Sequence, residues 1–408
     1  MNRQSDEAGG KNCAGASKGL VIKGGRVITP HEERFTNLWL ENGRIIGLAD
    51  KLVQLLPDRD EADFEIYNAA GQYVTPGLID LQMNGGPSCD LWADPTVSEL
   101  DSLRLELASK GVTSFLPTLI TDDLVHLRKN IDFLTAQGAD RKPVDDLPAG
   151  SAMARMLGLH LEGPCLSPER PGVHPRKHIQ PFTVDVLKQI ITPAASLITA
   201  ACEGDIDGKA IGYLKKSGVT VSLGHSNATY EEANQAFDRG ATLMTHTFNA
   251  LPPLHHRTPG AVGAALLRDS IVCCLIADGL HLSEPACAII LKMKGCKKAV
   301  LVTDRAKIGT SKGGLVGSSI SLDEAVQNIC RWGLASFAES VAMASANAAA
   351  AIGLSESIGS LKEGLPADIA FFDEHNLEVT GAIVGGHWVK KDGKVLPSLA
   401  LAQSDARH

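Results

Sequence analysis

Residues 219–250 read VTVSLGHSNATYEEANQAFDRGATLMTHTFNA. Val219 to Leu223 is a short β-rich run, TYEEANQAFDRG from Thr229 has the pattern of a helix, and Thr242 to Thr245 begins a second β-rich run. The helix carries its own punctuation: Thr229 as cap, Glu232 three residues on to complete a capping box, and Gly240 to end it. A polar group follows each run, His225-Ser226-Asn227 after the first and His246 with Asn249 after the second.

Outward from this unit the same alternation covers most of the chain. Eight β-rich runs can be counted: Gly77 to Gln82, Val112 to Leu116, Met156 to Leu161, Leu197 to Cys202, Val219 to Leu223, Thr242 to Thr245, Ile271 to Ala277 and Ala299 to Thr303. Helical patterns follow several of them. Eight strand-plus-helix units predict an α/β fold, a (β/α)8 TIM-type barrel over residues 76–354, with an open doubly wound sheet as the alternative. Residues 19–75 look different, with short strands and tight turns. There, Asn42-Gly43 between two apolar runs is a hairpin signal. Residues 355–400 repeat that style in ADIAFFD and AIVGGHWVKKDGK, so the two ends are expected to build one small β-sandwich-like domain together. Residues 1–18 lack an apolar signal core and read as a disordered tail.

Composition narrows the function classes. Lys and Arg number 39 against 47 Asp and Glu, a formal charge of −8, which argues against broad nucleic-acid binding. No apolar run approaches the roughly 20 residues that span a bilayer. A cytoplasmic protein without membrane partners is expected. The nine cysteines are scattered, with no C-x-x-C pair, and read as buried thiols in a reducing compartment.

In a barrel, the residues that follow the strands share one rim, where such enzymes keep their active sites. Here they are Gln82 and Asn84, Pro117-Thr118, Glu162-Gly163-Pro164, Glu203-Gly204, His225-Ser226-Asn227, His246 with Asn249, Asp278-Gly279 with His281, and Asp304. Taken singly, each histidine is more often a core or surface residue than a ligand. Together, Glu162, His225 and His246 supply one carboxylate and two imidazoles, a set that suits Zn²⁺ or another borderline divalent ion and can leave a water position open. Such an ion can lower the pKa of a water from about 15.7 to about 7. Asp304 is placed to move a proton, or else to cap a strand end or pair with Arg305. Arg257 and His281 are candidate anion donors, and His174 a candidate to polarise a carbonyl.

The segments TPGLIDLQMNGG, KGVTSFLPTLIT, HLEGP with VHP, SLGHSNATYEEA, THTFNALPPL, RTPGAVGAAL, IADGLHL, LVTD and GSLKEGLPADIAFFD occur in one order. Together they resemble the N-acetylglucosamine-6-phosphate deacetylases of the amidohydrolase superfamily, over nearly all of residues 19–395. The resemblance implies a metal-bearing barrel with a β domain from both chain ends. It also implies metal-dependent hydrolysis of N-acetyl-D-glucosamine 6-phosphate to D-glucosamine 6-phosphate and acetate, in amino-sugar catabolism or recycling. It assigns the metal to Glu162, His225 and His246, the acid/base role to Asp304 and the acetyl carbonyl to His174. Substrate contacts fall on Val173, His174, Asn249, Ala250, Arg257, Asp278, His281, Leu315 and Gly317. A homodimer is implied, because in relatives the phosphate-binding arginine crosses from a neighbouring subunit.

Two departures modify the expectation. The superfamily H-x-H after the first strand is Gln82-x-Asn84 here, and neutral amides are poor ligands. One divalent ion is therefore expected, Zn²⁺ first, with Fe²⁺, Co²⁺ or Mn²⁺ as alternatives. After Asp304, relatives carry a hairpin-containing stretch, whereas this chain reaches Gly317-Ser318-Ser319 after thirteen positions, with Arg305 in place of a small residue. A cation at Arg305 is expected to lower the basicity of Asp304, and the short loop to weaken substrate enclosure. The alternatives are thus a deacetylase of another N-acyl amino sugar, or a catalytically impaired sugar-phosphate-binding homologue.

Overall fold

The computed structural model describes residues 19–29, 32–141, 152–307 and 316–396. Eight parallel strands, Leu78–Met83, Val112–Ile120, Leu159–Glu162, Ala195–Ala200, Thr220–Leu223, Leu243–Met244, Val272–Leu275 and Ala299–Leu301, pair in chain order. The first and eighth meet at the rim. Asp304 N–H donates to Gln82 O (2.9 Å) and Asn84 N–H to Arg305 O (2.8 Å). Below them Asp80 accepts from the Thr303 N–H and hydroxyl, at 3.2 and 2.6 Å. The ring closes, and the open-sheet alternative falls.

Each strand of the eight feeds a helix, and the helix foreseen at Thr229 spans Tyr230–Arg239 with a Thr229/Glu232 capping box and Gly240 at its C-cap. The third run is broken where one strand was expected, into Arg155–Met156 and Leu159–Glu162. Gly158 sits between them at φ +98, where a Cβ would lie 2.2 Å from the Ser196 hydroxyl. The second strand runs to Ile120, past the expected end at Leu116, because Pro117 falls at a register shift where the ladder tolerates it. The rim residue there is Thr121, and Thr118 points into the barrel.

Strands from both chain ends form the second unit. A seven-stranded sheet joins Gln72–Pro76 to Ile369–Asp373, and a four-stranded sheet contains the hairpin Leu38–Glu41/Arg44–Leu48. Asn42 (φ 51) and Gly43 (φ 76) turn that hairpin, the left-handed pair that a two-residue loop requires. The sheets share a core that includes Ile22, Leu38, Val74, Phe371 and Ile383. The tail 1–18, and residues 397–400 of the expected β domain, lie outside the described residues. Among the described residues no helix is long and apolar enough to cross a membrane. The eight described cysteines are free, six of them buried.

The barrel core is closely filled, with Phe115 fully buried on the second strand. Truncating it leaves a cavity that neighbours cannot fill, so Phe115→Ala should lower unfolding stability by about 3–5 kcal/mol, measured by urea denaturation.

Candidate metal centre and acid-base group

The rim brings four of the expected residues together. Glu162 ends the third strand, His225 and His246 follow the fifth and sixth, and Asp304 follows the eighth. His225 (φ 47), His246 (φ 25) and Asp304 (φ 50) are all left-handed. Each such residue costs of order 1–3 kcal/mol, held here by the packed rim. The left-handed residue breaks the strand's up-down alternation where the side chains must converge.

His246 Nε2 lies 3.0 Å from Glu162 Oε1, His225 Nε2 lies 3.3 Å from the same oxygen, and the two Nε2 atoms are 3.1 Å apart. Bonds of about 2.0–2.1 Å in a tetrahedron give ligand separations near about 3.3 Å. The triad therefore has the dimensions of one small cation's ligand set. Glu162, His174 and His225 form a second overlapping group within 4.8 Å.

Second partners separate the two groups chemically. His225 Nδ1 lies 2.9 Å from the Arg170 carbonyl, which can only accept. Its proton is therefore on Nδ1, and Nε2 offers a lone pair inward. For His174 the pattern is reversed: Nδ1 accepts from the Thr121 backbone N–H at 3.2 Å and lies 2.9 Å from that residue's hydroxyl. Its Nε2 then carries the hydrogen, 3.9 Å from Glu162 Oε2. Burial, with the neighbouring His225, pushes the His174 pKa down to about 3, so it stays neutral. His174 thus turns an N–H toward Glu162, and His225 a lone pair. His246 Nδ1 is buried without a hydrogen-bond partner among the described residues.

The charges respond to one another. Burial opposes ionisation of Glu162, but the neighbouring imidazoles of His225 and His246 prevail and hold its pKa well below the usual value. Burial likewise opposes a charged His246, yet the bond and charge of Glu162 raise its pKa. In the protein alone, the charge on Glu162 thus favours a proton on His246.

Asp304 Oδ1 accepts from Gln82 Nε2 (2.9 Å) and Asn84 Nδ2 (2.7 Å), and the same Gln82 nitrogen donates to Glu162 Oε1 at 2.9 Å. Gln82 and Asn84 thus turn donors, not ligand oxygens, toward the centre. Burial, then the charge of Glu162, raise the Asp304 pKa to about 7. The expectation that Arg305 would make Asp304 less basic is overturned. Arg305 turns away and pairs with Glu106 at 2.6 Å, leaving burial and Glu162 in control.

Of the remaining expected contacts, His281 lies near enough to Asp304 for its charge to act on that carboxyl. Asp278 Oδ2 lies 2.7 Å from His281 Nδ1, and that bond holds Asp278 below its usual pKa against burial. Asn249 N–H donates to His246 O at 2.8 Å, and Ala250 is left-handed at φ 50. Val173 and Arg257 are exposed; among the described residues neither side chain bonds to the triad or to the Asp278–His281 pair. Leu315 lies outside the described residues. Gly317 (φ +58) packs against the Asp304 carbonyl, where a Cβ would lie 2.6 Å from the oxygen, so it closes the chain over Asp304.

Two expected rim positions do other work. Glu203 accepts from the Ser226 hydroxyl and the Asn227 N–H, both at 2.7 Å, clasping neighbouring loops. Thr118 Oγ1 lies 3.3 Å from His160 Nδ1, inside the barrel beneath Glu162. Sequence reasoning missed Thr121. Its signal was the uninterrupted PTLIT, which extends the strand up to it.

Because the Asp304 pKa of about 7 lies above the ordinary 3.8, its contribution to stability is fully present below about pH 4 and lost as pH rises through about 7. Metal-free protein should lose stability over that window relative to Asp304→Asn. Denaturation midpoints of both proteins from pH 4 to 8 check this, and an unchanging difference would contradict it.

The sequence profile of the family described as "Amidohydrolase family" matches residues 73–389. The N-acetylglucosamine-6-phosphate deacetylase of Bacillus subtilis (strain 168) is 32% identical over 381 residues, covering 86% of this chain and 93% of that protein. The N-acetylgalactosamine-6-phosphate deacetylase of Escherichia coli O157:H7 is 31% identical over 361 residues, covering 82% and 92%. Among solved structures, the N-acetylglucosamine-6-phosphate deacetylase of Pasteurella multocida superposes with a TM-score of 0.79 at 27% identity, over 93% of this chain and 100% of that one.

Proposed function

Because the chain belongs to the amidohydrolase family, and within it to the N-acetylglucosamine-6-phosphate deacetylases, we propose that it hydrolyses N-acetyl-D-glucosamine 6-phosphate to D-glucosamine 6-phosphate and acetate. The observation that carries this reading is the joint geometry of a cation-sized Glu162/His225/His246 triad and a neighbouring carboxylate held by Gln82. One divalent ion in the triad, Zn²⁺ first and Fe²⁺, Co²⁺ or Mn²⁺ as alternatives, would activate a water and polarise the acetyl carbonyl.

The chain's own groups do the rest. Asp304 takes the proton of the attacking water as its oxygen bonds to the acetyl carbon, then delivers that proton to the sugar nitrogen as the C–N bond breaks. The Nε2–H of His174 donates to the carbonyl oxygen as negative charge develops on it. Arg257, exposed and without an ion pair among the described residues, is the group offered to the sugar phosphate. In a homodimer it would reach the site of the partner. The E. coli relative's name favours a second substrate, the galacto epimer, at nearly the same identity.

Acetate release from both epimers, with and without the 6-phosphate, tests the reading. Release from neither phosphorylated sugar, with binding retained, would favour a protein that binds sugar phosphate without turnover. Asp304→Asn should lower kcat by at least about 100-fold while bound metal, measured by elemental analysis, stays. Arg257→Ala should raise KM for the phosphorylated sugar by about 10- to 100-fold, the worth of a charged hydrogen bond, and leave the unphosphorylated sugar unaffected. Chelation should abolish turnover, and re-addition of one equivalent of metal should restore it.

A further inference from the structure

The two ends of the Asn84 amide are nearly the same size and chemically opposite, so a neighbour must fix which end meets Asp304. Asn84 Nδ2 donates to Asp304 Oδ1 at 2.7 Å, and Asn84 Oδ1 accepts from Trp92 Nε1 at 3.2 Å. An indole N–H can only donate. Turning the amide over would set donor against donor at Trp92 and oxygen against carboxylate at Asp304.

Trp92 is itself held. Its backbone N–H donates to Asp90 Oδ1 at 3.0 Å, within the short hairpin that pairs Gly85 with Asp90, and Leu91 N–H donates to Asn84 O at 3.1 Å. The helix Leu124–Ala136 clamps the next two residues: Asn130 Nδ2 donates to Ala93 O at 3.3 Å and Lys129 Nζ to Asp94 Oδ1 at 2.8 Å. The indole is therefore a fixed reference for the amide.

We infer that Trp92 is a positioning residue for the acid-base group: it locks the Asn84 amide so that Gln82 and Asn84 both occupy Asp304 Oδ1, leaving Oδ2 as the atom that exchanges the reacting proton. The inference rests on the deacetylase reading for its kinetic consequence and on the hydrogen bonds alone for its structural one.

Trp92→Phe keeps the aromatic bulk and removes the donor. It should lower kcat about 5- to 10-fold, the worth of one hydrogen bond, with KM and metal content unchanged. In an Asn84→Ala background the same substitution should cost nothing further. Equal losses in both backgrounds, or an unchanged kcat in the single variant, overturn the proposal. If Trp92→Phe does not fold, benzothienylalanine at position 92, the same bicycle with sulfur for the N–H, carries the same expectations. The Asn84 side-chain NH₂ resonances give a readout independent of turnover. They should be slow to exchange in the wild type and shifted and fast to exchange once the donor is gone; unmoved resonances overturn the proposal. A wild type that releases no acetate sinks the deacetylase reading, while these resonances still judge the role of Trp92.

Discussion

Glu162 carries a negative charge where almost no water reaches it, at the top of a barrel filled by side chains. A buried carboxylate must be matched by positive charge and by donors, or it gives up its ionisation. His246 and Gln82 converge on one of its oxygens to meet that demand. A divalent ion meets the same demand with more charge in the same space. On the function proposed here, that ion would take the place of the proton.

The same electrostatics sets the neighbouring group. Asp304 lies close enough to Glu162 that a second negative charge is disfavoured, and burial adds to this, so its proton affinity rises toward neutrality. That is the proton affinity that the proposed acid-base role of Asp304 requires. Arg305 would have undone this had it faced the carboxylate. Its pairing with Glu106 leaves the acid-base group to its amide donors.

Barrel closure and chemistry share their backbone. The bonds between Gln82–Asn84 and Asp304–Arg305 join the first strand to the eighth, and they also carry the donors to the acceptor they serve. The left-handed residues at His225, His246 and Asp304 are tolerated because this rim is fixed on both sides. Precision at the site follows from how the ring is completed. No separate scaffold is required.

The sequence by itself determined the eight strand-helix units, the capped helix after Thr229, the hairpin at Asn42-Gly43 and the polar residues at most strand ends. These signals are local: periodicity, caps and turn residues act over a few positions. It could not place the end of the second strand, since Pro117 looks like a stop until a register shift accommodates it. Nor could it tell which ring nitrogen of His174 and of His225 carries the proton, because that is decided by one partner far away in the chain, Thr121 for the first and the Arg170 carbonyl for the second. The direction of the Arg305 side chain was likewise hidden, for adjacency along the chain says nothing of which way a guanidinium turns. Only the folded barrel decided these, because a tautomer, an amide orientation and a buried charge are properties of what surrounds a group in space.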